Sequence, residues 1–195
     1  EDYHTSIISF DQDGTVVARY DKWRLVPGGE YLPLAWMLEP LGFRKVVSLP
    51  ESFSAGTGPQ NFEVSGIGQA ALLICYEAIF PHLLVPDDAR PRWIVNVTND
   101  GWFGNSVGPY QHLAQVRMRA VEQGLPIARS ANTGISAMID PFGRIVASLA
   151  LGRKGFVDAA LPQSLPATVF ALWGSVPALI LLIFILTIAG LGRRY

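Results

Sequence analysis

The chain has 195 residues, 15 Lys and Arg against 16 Asp and Glu, 50% hydrophobic residues and a single cysteine. That length suits one well-buried domain with or without an appendage, and the near-neutral charge excludes a field suited to nucleic acid or to an acidic partner. One cysteine excludes an internal disulfide, and a positive mean hydropathy of +0.29 points to an apolar segment somewhere in the chain.

The opening residues predict a hairpin: a strand from Thr5 to Phe10, a turn through Asp11-Gln12-Asp13-Gly14, and a strand from Thr15 to Tyr20. A start inside a hairpin, without an initiator Met or a signal peptide, is expected of a piece of a longer protein. Next, Pro27, Gly28 and Gly29 interrupt YDKWRLVPGGEYLP and leave Lys22 and Glu30 on a shaped loop. Pro33 to Leu41 predicts a short helix carrying Trp36 and Met37, and Ser52 to Asn61 an exposed loop. Asn61 to Val64 and Ile67 to Cys75 predict a second hairpin, whose later strand belongs to the apolar run AALLICYEAIF.

Arg92 to Thr98 (RWIVNVT) reads as a strand buried on both faces. Tyr110 to Gln123 has helical spacing and stops at Gly124. Three strands are expected next, at Pro126 to Ser130, Ile135 to Ile139 and Arg144 to Leu149, with Asp140-Pro141-Phe142-Gly143 turning between the last two. Phe156 to Ala160 closes the globular part. The strand–helix–strand order from Arg92 to Ser130 predicts a layered α/β fold.

From Ala159 to Gly192 the chain carries no charge. Within it, Leu172 to Leu191 has the ~20-residue length of a membrane-spanning helix. Pro177 falls in its first turns, Trp173 near one end, and Arg193 and Arg194 after the other. The expected domains are therefore 1–165, globular, and 166–195, a transmembrane helix with a short basic tail. The Arg pair places the C-terminus in the cytoplasm and the globular part on the opposite side.

Cys75 is the chemically distinctive residue. A thiol attacks as a thiolate and needs a base or a cation nearby, with donors for the oxyanion of a carbonyl substrate. Cys75 at a strand end, Lys22 on its loop, and Glu30 and Glu77 could supply these parts. An inert cysteine in a buried strand fits the same local pattern. His4, His82 and His112 lack metal-ligand spacing, so no metal site is expected. Asn96-Val97-Thr98 matches a glycosylation signal but falls in the expected buried strand.

YDKWRLVPGGEYLP, LLICYEAIFP, VNVTNDGWFG and RSANTGISAMIDPFGRI, in this order, resemble the C-terminal part of the apolipoprotein N-acyltransferases. These are membrane-embedded members of the nitrilase (carbon–nitrogen hydrolase) superfamily, and the likeness covers nearly the whole chain. It implies part of a nitrilase-like α-β-β-α sandwich followed by one C-terminal transmembrane helix. It makes Cys75 the nucleophile that forms an acyl thioester, Lys22 the oxyanion-stabilising lysine and Glu30 the positioning glutamate. Tyr76 and Glu77 would shape the oxyanion pocket, with the Tyr76 N–H as a donor, and Trp102 and Phe103 would lie at the substrate entrance.

The implied partners are a phospholipid acyl donor, an apolipoprotein acceptor and a membrane, with no cofactor. The implied place is the bacterial inner membrane, with the catalytic domain periplasmic. The resemblance also implies a general-base glutamate upstream of Lys22, where this sequence has only Glu1, so the chain alone is expected to be inactive. Two alternatives use the same residues: a membrane-tethered amidase or nitrilase-type hydrolase, and a non-catalytic module that binds lipoproteins.

Overall fold

The computed structural model describes residues 2–45, 52–81 and 90–192. His82, Arg193 and Arg194 lie outside them. The described chain forms a hairpin of β1 (Ser6–Phe10) and β2 (Val16–Asp21), and a six-stranded sheet. The sheet runs in sequence order through β3 (Asn61–Val64), β4 (Gly68–Ile74), β5 (Trp93–Asn99), β6 (Ile127–Asn132), β7 (Ser136–Ile139) and β8 (Ile145–Leu149). Its central strands β4, β5 and β6 are parallel, and the outer pairs are antiparallel.

The two faces of the sheet bury different partners. Ala71, Leu73, Ile94, Ile127, Ala137 and Ile139 pack with Leu113, Val116 and Ala120 of helix α2 (Gly108–Gln123). The intervening residues Leu72, Ile74, Val95 and Val97 turn to the other face and meet Tyr20, Ile7 and Ala18 of the hairpin. Alternation along each strand thus builds three layers, helix on sheet on hairpin. Each fully buried aliphatic side chain contributes about 1.5–3 kcal/mol to holding them together. The parallel strands β4, β5 and β6 all end at one edge, and in open α/β sheets that edge is where sites form.

The sequence places the strands within one or two residues, but two helices depart from expectation. Pro33 to Leu41 does not form one helix: it gives a single turn, α1 (Ala35–Leu38), and a 3-10 turn, Glu39–Leu41. Neither turn buries a residue, and Trp36 is 78% exposed, so burial gives a longer helix little support.

The second correction concerns Leu172 to Leu191. The expected continuous helix breaks at Gly174, whose φ of 56° and ψ of −133° lie outside the helical region that residues with a Cβ adopt. Helix α3 (Val169–Trp173) ends there and α4 (Val176–Gly192) begins after it. At 17 residues α4 spans about 26 Å, against a hydrocarbon core of about 30 Å. Among the described residues, no helix is long and apolar enough to cross a membrane. The chain before α3 is tied to the body where Leu165 N–H donates to Gly124 O at 2.9 Å and the Thr168 hydroxyl donates to Glu122 O.

Candidate active site

Cys75 is the first residue of a 3-10 turn, Cys75–Ile79, that follows β4 directly. Its φ of 50° is left-handed, a region that non-glycine residues enter at a cost of about 1–3 kcal/mol unless their surroundings hold them there. The passage from strand to tight turn leaves Cys75 half-buried at the sheet edge, packed against the Tyr20, Phe62, Leu72 and Ile74 cluster.

One side of the turn is held by Glu77, which is fully buried. Its Oε2 accepts the Ile74 N–H at 2.7 Å. Its Oε1 accepts the Tyr20 hydroxyl at 2.8 Å, the Trp23 N–H at 2.9 Å and the Arg24 N–H at 3.2 Å. One carboxylate therefore closes the Cys75 turn and binds it to the chain just past Lys22. Burial pushes the Glu77 carboxyl above its ordinary range; its donors, Ile74 N–H foremost, pull against burial without cancelling it. Burial, then the Glu77 charge, holds Tyr20 far above the phenol range, so Tyr20 stays a neutral donor.

Lys22 and Glu30 form a buried pair. Lys22 Nζ lies 2.7 Å from both Glu30 oxygens, and Glu30 Oε2 also accepts the Val26 N–H at 2.7 Å. Lys22 is 1% exposed, so its ammonium is removed from water and compensated by one carboxylate and its loop. The expected loop geometry is thus present, and Glu77 ties it to Cys75.

The other expected residues lie around these. Tyr76 packs edge-on against Phe80 at 5.0 Å between ring centroids, and the Arg24 guanidinium stacks over Trp23 at 4.3 Å. Trp102 and Phe103 lie on a 3-10 turn, Asp100–Phe103, and are 47% and 44% exposed. Trp102 rests on the lysine loop: a Cβ on Gly29 would lie 2.9 Å from its ring. Phe103 packs edge-on against His112 at 5.9 Å. The aromatic pair therefore runs from the Lys22–Glu30 loop to α2.

Beneath Cys75, on the α2 side, stands a polar network that the sequence reading did not assign. Leu73, Asn96 and Arg129 share one row across β4, β5 and β6. Asn96 Nδ2 donates to Leu73 O at 3.3 Å and Arg129 Nη1 to Asn96 Oδ1 at 2.5 Å, so the glycosylation-like Asn96 is a buried network member. Arg129 Nη2 donates to Asp100 Oδ2 at 2.7 Å, a pair with no exposed side-chain surface.

His112 Nδ1 lies 2.9 Å from Asp100 Oδ1, and its Nε2 lies 3.2 Å from the Cys75 carbonyl oxygen. The Cys75 carbonyl only accepts, which assigns the donor at that contact to Nε2, while Nδ1 faces both Asp100 Oδ1 and, at 3.5 Å, Arg129 Nη2. Burial pushes the Asp100 carboxyl up, but the His112 hydrogen bond and the Arg129 charge outweigh it and hold the group below its ordinary range. Burial pulls Arg129 down, offset in part by Asp100. Gly134 makes room for the pair, because a Cβ there would stand 2.2 Å from Asp100 Oδ2. These residues lie in motifs visible in the sequence (VNVTNDGWFG and RSANTG), yet His112 carried no spacing signal at all.

A strand-end turn bearing Cys75 and a buried Lys–Glu pair, set at one edge of a layered α/β fold, fit one class, and the chain belongs to it: it is a member of the carbon–nitrogen hydrolase family, whose pattern matches residues 1–168. It is 55% identical over 178 residues to the apolipoprotein N-acyltransferase of Bradyrhizobium diazoefficiens, covering 91% of this chain and 33% of that protein. With the apolipoprotein N-acyltransferase of Rhodopseudomonas palustris it shares 47% identity over 191 residues, covering 98% of this chain and 36% of that one. The chain therefore spans about a third of the length of the curated relatives it matches. In fold it is similar to Saccharomyces cerevisiae Nit3, a member of branch 10 of the nitrilase superfamily. That likeness has a TM-score of 0.55 at 20% identity and covers 77% of this chain and 51% of Nit3.

Proposed function

We propose that the protein carrying this chain transfers an acyl chain from a membrane phospholipid to the N-terminal amine of diacylglyceryl-cysteine on an apolipoprotein. The observation that carries the reading is the clamp by Glu77, which joins the Cys75 turn to the chain beside the buried Lys22–Glu30 pair. The identity with apolipoprotein N-acyltransferases over 91–98% of the chain supports it.

In the first step the Cys75 sulfur forms a bond to the ester carbonyl carbon, and the oxygen gains negative charge. Lys22 and the Tyr76 N–H face that oxyanion; the first N–H groups of a helical turn have no partner within the turn. The ester C–O bond then breaks, the lysophospholipid leaves with a proton, and a thioester remains. In the second step the acceptor amine attacks the thioester, an amide forms, and the sulfur is released. Glu30 is engaged by Lys22 and Val26, and Glu77 by four donors, so neither takes the thiol proton. That proton goes to a further base.

Both substrates are lipids, and α4 suits a lipid surface. Residues Leu179 to Leu186 and Ile188 are all exposed, so the helix is apolar on every side without protein packed around it. We place the protein in the bacterial inner membrane, with the catalytic domain periplasmic and the C-terminus cytoplasmic. Trp102 and Phe103, half-exposed beside the lysine loop and α2, line the entrance for the acyl chain.

Intact-mass analysis of the full-length protein incubated with phospholipid tests the reading. An acyl adduct at Cys75 is expected, absent in Cys75→Ala and reduced at least about a hundredfold in Lys22→Met. No adduct in the wild type, or an adduct that survives Cys75→Ala, rejects it.

A further inference from the structure

We infer that His112 is a positioning residue that sets the direction of the oxyanion donor, acting through the main chain of Cys75. The inference rests on the acyl-transfer reading of Cys75 given above.

The Cys75 carbonyl can only accept, so the 3.2 Å contact is a hydrogen bond donated by His112 Nε2. Among the described residues every peptide bond is trans. In a planar trans peptide the C=O and the following N–H point in opposite directions. Holding the Cys75 oxygen toward α2 therefore turns the Tyr76 N–H away from α2, toward the face where Cys75 packs with Tyr20 and Trp23. That is the face of the hairpin and of the chain bearing Lys22. This hydrogen bond adds to the turn's own i→i+3 bonds in fixing the Cys75–Tyr76 peptide, whose φ of 50° at Cys75 lies in a sparsely populated region.

The imidazole is itself fixed. Asp100 Oδ1 stands 2.9 Å from its Nδ1, and Asp100 is held by Arg129 at 2.7 Å and by the Thr98 hydroxyl at 3.1 Å. Arg129 in turn is anchored by Asn96 at 2.5 Å and by Ile135 O at 3.2 Å. Phe103 closes the ring edge-on. A buried charged network of this size is costly to assemble, and its outer end is a single hydrogen bond to the nucleophile's carbonyl. Packing alone would be served as well by an apolar core.

The test uses the full-length protein reconstituted with phosphatidylethanolamine vesicles, measuring the rate constant of Cys75 acylation and, separately, of alkylation by iodoacetamide. Alkylation forms no oxyanion. His112→Leu is expected to slow acylation about a hundredfold, as for a lost oxyanion donor, with half-saturating lipid and alkylation each changed less than about threefold. His112→Gln, which keeps an N–H donor, is expected to recover acylation to within about tenfold of wild type.

Should His112→Leu not fold, Asp100→Asn keeps the ring and loosens it, with a selective loss of about tenfold in acylation expected. The inference is overturned if acylation and alkylation fall together, or if these variants acylate at the wild-type rate. A wild-type protein that forms no Cys75 thioester overturns the acyl-transfer reading itself, before any variant is compared.

Discussion

Glu77 and Trp23 stand 54 positions apart, and the Trp23 N–H donates to the Glu77 carboxylate at 2.9 Å. Tyr20, 57 positions from Glu77, donates to the same oxygen. A single buried side chain thus registers the hairpin layer against the Cys75 turn.

Glu77→Gln keeps one oxygen for Tyr20, Trp23 and Arg24 but turns an NH2 toward the Ile74 N–H. Two donors then face each other in a buried site, which costs about 1–3 kcal/mol. Tyr20→Phe removes one donor and is expected to cost about 1 kcal/mol. Denaturant unfolding of the purified protein measures both, and the double variant should fall short of the sum because the two share one bond.

Asp100 governs part of the acid limb of stability. Its folded-state pKa lies below the ordinary carboxylate range, so the unfolded chain takes up its proton first as the pH falls. Its contribution is complete above about pH 4 and is lost as the pH drops through the folded value. Asp21 and Asp140 are shifted the same way and act in the same window. Unfolding free energies measured from pH 6 downward should therefore fall below about pH 4, and less steeply in Asp100→Asn than in the wild type. An equal slope in both would show that the native network does not hold Asp100 as a carboxylate.

Trp102 sits on Gly29 and leaves nearly half its surface to solvent. If it guides the acyl chain, Trp102→Ala should raise the half-saturating phospholipid concentration about tenfold, on the scale of one buried aromatic contact. The rate constant of acylation at saturation should stay within about threefold. Gly29→Ala pushes the ring off its seat and should move the half-saturating concentration the same way. Steady-state acylation in vesicles of graded lipid content separates the two parameters, and a fall confined to the rate constant would reject an entrance role.

Most of the sheet was legible because strand periodicity is local. Asn61–Val64 coincides with its expected bounds, and Cys75 falls just past β4 at a turn, as its setting predicted. Lys22 and Glu30 were legible as residues of one shaped loop, and in the fold their side chains bond at 2.7 Å. The network around His112 was not, because its members come from β5, its following turn, α2 and β6, and only the sheet's register brings Asn96 beside Arg129. The C-terminal helix was read too far toward its start. Composition records that Leu172 to Leu191 is apolar, but not that Gly174 leaves the helical region.

The Glu77 clamp also dictates an order of assembly. Its donors at Tyr20, Trp23 and Arg24 reach across more than 50 positions, and loops of that length close late. A nascent or partly folded chain carries the Cys75 thiol without a fixed turn, a seated Lys22 or an aimed Tyr76 N–H. Any chemistry of that thiol that depends on the clamped turn thus arrives only with the finished fold.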